Sequence, residues 1–316
     1  MITIETFAEI IKAKMEEVYD NEYKININNV TKNNGLHLTG ITISNINSNI
    51  APNIYLDGYY ADYKNGRTIE NICNEIVQVY ENNKASNDFP IGQITDFENI
   101  KDKICFKLVN REKNAELLAN IPYIEYQDLA IIFYILISKD NIGTVSITVK
   151  NTLLKMWGVD TDILYDLAKK NTQKLLSIEV QPITKIMAEI INDSANTLLN
   201  EEIAEECDAL NKVHEDGTVP MYVATNSKKV NGACVILYDG ILKDFAEKVG
   251  DDFYILPSSV HEVILVPINE YMDDRYLAYM VKEVNATEIS PDEILSDNIY
   301  MYHADENRLE IVELEE

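Results

Sequence analysis

Apolar residues near the start of the chain recur at intervals of three and four. Phe7, Ile10, Ile11, Met15 and Val18 fall on one side of a 3.6-residue period, and Thr3 stands where its oxygen can cap the first turn. An amphipathic helix is predicted. The period then shortens to two: Ile25 and Ile27 alternate with asparagines, and Leu36, Leu38, Ile41 and Ile43 continue the pattern with an irregularity at Gly40. Asn33, Asn34 and Gly35 supply the turn of a hairpin. After Pro52, Tyr55, Leu56, Tyr59 and Tyr60 predict a short helix ending near Gly66. Thr68 caps a longer one carrying Ile69, Ile72, Cys73, Ile76 and Tyr80.

A polar loop from Asn82 to Asp88 leads to a middle region of apolar runs. Ile104 to Val109, Leu129 to Ile137 and Thr144 to Val149 read as strands of an antiparallel sheet, the last two joined through Asp140 to Gly143. Asn151 is the expected cap of a helix holding Leu153, Leu154, Met156 and Trp157, with Trp157 as a core anchor. Asp160 or Thr161 caps the next, with Ile163, Leu164, Leu167 and Ala168, and a third is expected around Ile186 to Ile190. The stretch from Asn192 to Gly217 interrupts these patterns and contains an acidic run from Asn200 to Asp208, which reads as a solvated helix face or linker.

Beyond it, Pro220 to Ala224 and Ala233 to Leu237 read as strands around a polar turn, and Gly240 opens a helix with Leu242, Phe245, Ala246 and Val249. Tyr254 to Leu256 and Val263 to Val266 are two further strands, followed by a helix from Asp273 to Val284. A hairpin of Ile299 to Tyr302 against Leu309 to Val312 closes the outline. The expected fold class is α+β, antiparallel sheets with flanking helices, in two modules: an N-terminal domain over residues 1–210 and a C-terminal domain over 211–316. A length of 316 residues fits this division at about 150 residues per domain.

Composition adds a compartment and a constraint on partners. Hydrophobic residues make up 46% of the chain, enough for a sizeable core. Acidic residues number 53 against 27 basic, a formal net charge of −26, so the average field repels nucleic acid and anionic lipid. A protein partner is expected, without nucleic acid or membrane, and composition leaves the oligomeric state open. The longest apolar run is about half the roughly 20 residues that span a bilayer, and the first residues lack the pattern of a signal peptide. A cytoplasmic protein is expected. Cys73, Cys105, Cys207 and Cys234 lie too far apart for a zinc knuckle or redox pair and are expected as buried thiols.

The densest chemistry lies between Tyr254 and Glu262, where Ser258, Ser259, His261 and Glu262 stand side by side. A zinc-protease helix needs a second histidine where Leu265 stands, and a serine-hydrolase elbow needs glycines that neither serine has at its flanks. If the segment is extended, Ser259 and His261 share a face, so a hydroxyl–imidazole contact is sterically open. Candidate catalytic residues are therefore Ser259 and His261, with Glu262 or Asp239 as the acid. The alternative is structural: serines bracing a turn after Pro257. Nucleotide loops and calcium loops are absent, so neither a cofactor nor a metal is expected.

The segments Asp162 to Ala168, Gly217 to Val223, Gly232 and Ala233 with Leu237 and Tyr238, and Tyr254 to Glu262 carry a resemblance. The chain resembles an uncharacterised domain-of-unknown-function family of Clostridia and other gut or rumen Firmicutes, and is more distantly similar to the YtpQ-like proteins of Bacilli. That resemblance implies a bacterial cytosolic setting and supplies no activity, cofactor or catalytic residue. Two functional classes follow from the residues. One is a non-enzymatic binding or adaptor protein using the acidic surface and the tyrosines Tyr55, Tyr59, Tyr60 and Tyr63; the other is a small-molecule hydrolase using Ser259 and His261.

Overall fold

The structure, a computed structural model, describes residues 2–48, 51–84, 91–140, 143–189, 220–269 and 273–314. The fold is α+β, and every strand pairing among these residues is antiparallel. Two compact units divide the chain, Met1–Ile94 and Thr95–Glu316.

In the first unit the helix Ile4–Val18 begins as its period dictates, with Thr3 Oγ1 accepting from the Thr6 N–H. Its buried side, Phe7, Ala8, Ile11 and Met15, packs into one core with Ile41, Ile43, Leu56, Ile72 and Ile76. Burying each of the large side chains among these fully is worth about 1.5–3 kcal/mol, which is what holds helix and sheet together. Strands β1 (Tyr23–Thr31), β2 (His37–Asn45) and β3 (Asn53–Tyr55) form the sheet in that order. Asn34 and Gly35 turn the hairpin at φ 59° and 69°, left-handed values that asparagine and glycine tolerate best. Tyr55, expected in a helix, belongs to β3; the helix is Asp57–Lys64. The pattern misled because Tyr55 and Leu56 stand on either side of the strand-to-helix change, where two periods overlap. The next helix, Ile69–Asn83, is capped by Thr68 as its sequence indicates.

In the second unit, β6 (Leu129–Asp140) is flanked along one side by β4 (Ile104–Asn110). Its other side holds β5 (Tyr123–Tyr126) and then β7 (Gly143–Thr148). The helix Thr161–Leu175 packs its Thr172 against β4, the hydroxyl accepting from the Phe106 N–H at 3.1 Å. Asp160 caps that helix, whereas Asn151 is already inside the helix Asn151–Trp157, with Lys150 at the cap. Trp157 is half-buried against Phe97 at 5.6 Å between ring centroids, at the margin of the core rather than its centre. Residues 183–189 are helical, in line with the third expected helix.

A six-stranded sheet runs β13-β12-β10-β11-β9-β8. Its strands are β8 (Ile178–Pro182), β9 (Tyr222–Asn226), β10 (Phe253–Leu256), β11 (Val263–Pro267), β12 (Tyr300–His303) and β13 (Arg308–Ile311). One face carries Tyr254, Leu256, Val266 and Ile299 against Leu277, Ala278 and Val281 of the helix Asp274–Thr287. The opposite face stacks Phe253 between Phe245 of the helix Ile241–Val249 and Tyr302. The boundary expected near residue 210 lies outside the described residues, as does the acidic run. Pairing of β8 with β9, Ile178 opposite Asn226, puts residues from both sides of that position in one sheet. The expected strand Ala233 to Leu237 is a 3-10 helix, Gly232–Leu237, entered through Asn231 at φ 52°. An apolar run buried on every side has no alternation to distinguish the two forms.

Candidate functional site

The link between β10 and β11 is held by main-chain bonds on both sides. Ser258 and Pro257 carbonyls accept from the Leu295 and Ser296 N–H groups, each at 2.9 Å, and Val260 N–H donates to Glu293 O at 2.8 Å. From the other side Ala233 N–H donates to Val260 O at 3.2 Å. Ser259 forms a bridge with Ile294 and is 3% exposed. Its hydroxyl accepts from the His261 N–H at 3.0 Å, the side-chain-to-backbone bond that stabilises a turn.

The imidazole of His261 faces elsewhere. Nδ1 accepts from the Asn231 N–H at 3.2 Å, which places the ring proton on Nε2, 3.4 Å from Glu293 Oε1. The His261 carbonyl accepts from Thr225 Oγ1 at 2.7 Å. Gly232 sits in this junction, where an added methyl would collide with Thr225 Oγ1 and the His261 carbonyl. Glu262 is half-buried just before β11, and Asp239, largely exposed, pairs with Lys169 Nζ at 2.7 Å. A serine nucleophile needs its base within about 3.2 Å and an open approach. Here the Ser259 oxygen is turned to main chain, and Asn231 and Glu293 occupy the two ring nitrogens. The fold brings Ser259 and His261 together through the backbone, with Asp239 engaged by a different partner. The arrangement is that of a brace joining β9, the 3-10 helix and residues 293–296.

Two polar constellations join residues that sequence spacing could not connect. Asp128, in the β5–β6 turn, accepts from Ser296 Oγ at 2.6 Å, from Asn298 Nδ2 at 3.0 Å and from the Tyr300 hydroxyl. Burial, reinforced by the Asp128 charge, pushes the Tyr300 phenol well above its ordinary value and keeps it a donor. His303 lies between Asp252, 3.0 Å from Nδ1, and Glu310, 2.8 Å from Nε2, tying the last hairpin to the start of β10. Asp128 and Ser296 are 168 positions apart, and only the sheet makes them neighbours.

Cys73, Cys105 and Cys234 are buried thiols, and burial pushes Cys234 up to about 12, away from reactivity. Cys207 lies outside the described residues. No group of three or more His, Cys, Asp or Glu side chains among the described residues is arranged to hold a metal, and no described helix is long and apolar enough to cross a membrane. Tyr59, Tyr60 and Tyr63 pack against the first unit's core, with Tyr60 donating its hydroxyl to the Ile2 carbonyl at 2.8 Å. They are core-edge residues. Among the described residues the tyrosines most open to solvent are Tyr276 and Tyr279, 59% and 63% exposed and one turn apart on the outer side of the helix Asp274–Thr287.

Neither the curated proteins nor the solved structures contain a significant match to this chain. A family model does match, over residues 4–304, a span that takes in both compact units and the brace. The chain therefore belongs to DUF5688, a family of unknown function.

Proposed function

We propose that the protein is a non-enzymatic binding or adaptor protein that engages a basic protein partner in the bacterial cytoplasm. The observation that carries this reading is the Tyr276 and Tyr279 pair, two large aromatic side chains left outside on one helix face of a protein with a net charge of −26. Tyrosine gives a contact surface both apolar area and a polar tip, and interfaces are enriched in it. Surrounding negative charge steers a basic partner and repels nucleic acid and anionic membranes. The bacterial setting, and a distant kinship to the YtpQ-like proteins, rest on the sequence resemblance. The hydrolase alternative draws no support from the geometry, because Ser259 is 3% exposed and bonded to main chain.

The test is retention of a partner from native lysate on the full chain. A stoichiometric protein held at low salt, released near 0.5 M NaCl by screening and lost with Tyr276→Ser/Tyr279→Ser is the expected result. Hydrolysis of ester substrates that disappears in Ser259→Ala would replace this reading with the enzymatic one.

A further inference from the structure

Strand β13 is the last strand of the six-stranded sheet, and half of its main-chain groups face away from the sheet. Val312 N–H donates to the Ile299 carbonyl at 3.0 Å, and Ile311 stands opposite Tyr300. In an antiparallel ladder hydrogen-bonded and non-bonded pairs alternate, so residues 308, 310 and 312 turn their main-chain groups to β12. Leu309 and Ile311 turn theirs outward. The Leu309 carbonyl accepts from Gln127 Nε2 at 2.8 Å, and Gln127 is held at φ 55° in the β5–β6 turn. A side-chain amide thus takes the place that the main-chain amide of an added strand would fill, while Ile311 directs both its N–H and its C=O to the same edge.

A cavity of about 610 Å³ opens alongside, with Met301 and Val312 as its apolar floor and Glu310 and Glu313 at its rim. Asp252 and Glu306 add to the carboxylates here, and Arg308, bonded to Glu306 and Glu310, is the arginine that offsets them. An edge that no described strand pairs, with an acidic, apolar-floored groove beside it, selects an extended basic chain by main-chain pairing and by charge together.

We propose that the β13 edge is a docking site for an extended basic segment of another protein, which adds as a strand pairing with Ile311. The segment's residues on either side of that pair lie on the Met301 and Val312 face, where a lysine or arginine reaches Glu310 and Glu313. A second copy of this chain fits poorly, since two such edges would set carboxylates against carboxylates. The inference goes beyond the Tyr276 and Tyr279 reading by naming another surface and a main-chain mode of contact.

The experiment titrates the isotope-labelled full chain with an eight-residue peptide of alternating lysine and valine. Controls are the same peptide with a central proline, which removes an amide donor, and a glutamate–valine counterpart. Expected are amide shifts centred on Leu309 and Ile311 and a Kd raised about tenfold or more by either control peptide. Glu310→Gln/Glu313→Gln weakens binding and flattens its salt dependence. Gln127→Ala, which frees the Leu309 carbonyl and trims an exposed side chain, leaves binding intact or tighter. Absence of binding by the lysine–valine peptide overturns the proposal, as does indifference to the central proline. Shifts centred on Tyr276 and Tyr279 overturn it while supporting the binding reading above. Concentration-dependent dimerisation that perturbs Ile311 overturns it in favour of a second copy.

Discussion

Gly232 shows at the scale of one residue why the Tyr254 to Glu262 segment is a brace. Its missing side chain lets the 3-10 helix approach the Thr225 hydroxyl and the His261 carbonyl more closely than any methyl would allow. Gly232→Ala is therefore expected to cost about 1–3 kcal/mol, as overpacked cores do. Ser259→Ala removes one accepted hydrogen bond and should cost about 0.5–1.5 kcal/mol. Asp239→Asn breaks an ion pair that solvent already screens, with an effect within about 0.5 kcal/mol. Urea denaturation midpoints of the three variants check the ranking. Equal losses at Asp239 and Gly232 would contradict it. The sequence showed which reactive residue types stood together in this segment. It could not show that their polar atoms turn to Asn231, Glu293 and main chain, because those partners come from distant parts of the chain.

At the scale of elements, local chemistry was the reliable guide where a side chain makes its bond within one turn. Thr3, Thr68 and Asp160 each accept a bond from an N–H three residues on; the first two caps were legible from residue type followed by apolar period, and the third was narrowed to Asp160 or Thr161. Asp160→Ala is expected to lower stability by about 1 kcal/mol. Asn151→Ala should cost clearly less, since Asn151 sits inside its helix and the cap position belongs to Lys150. Thermal unfolding followed by circular dichroism separates the two. Elements whose identity depends on what surrounds them were harder to read. The run 233–237 is buried almost throughout, and β5 and β8 are strands of only four and five residues. Such segments take their form from the sheet or helix they join, not from their own period.

At the scale of the whole molecule, burial of weak acids in the second unit sets its response to alkali. Burial raises Cys234 from 9.0 to about 12 and Tyr126 from 10.0 to about 12. Burial and neighbouring thiols raise Tyr134 and Tyr238 as well. Each raised group favours its protonated, folded state. Its contribution is complete below the unfolded value, near 9 for the thiol and 10 for the phenol, and is lost as pH rises through the folded value. The melting temperature should therefore fall progressively from pH 9 upward, with phenolate absorbance appearing as structure is lost; a flat melting temperature to pH 11 would contradict this. Salt works in the other direction near neutrality. A net charge of −26 repels itself, so moderate NaCl should raise the melting temperature by screening.

The amino-acid sequence by itself determined the α+β class, the amphipathic helices, the β1–β2 and β12–β13 hairpins, and the net charge. Those properties depend on periods, caps and turns within a few residues, or on simple sums over the chain. Tertiary structure alone decided that β8 and β9 join across the stretch expected to separate two domains, and that Asp128 gathers Ser296, Asn298 and Tyr300. It also decided that Ser259 is shut in while Tyr276 and Tyr279 stay open. The physical reason is the same in each case: hydrogen bonding and burial are settled by neighbours in space, and a hydroxyl or phenol becomes a brace, a donor or a contact surface only when those neighbours are in place.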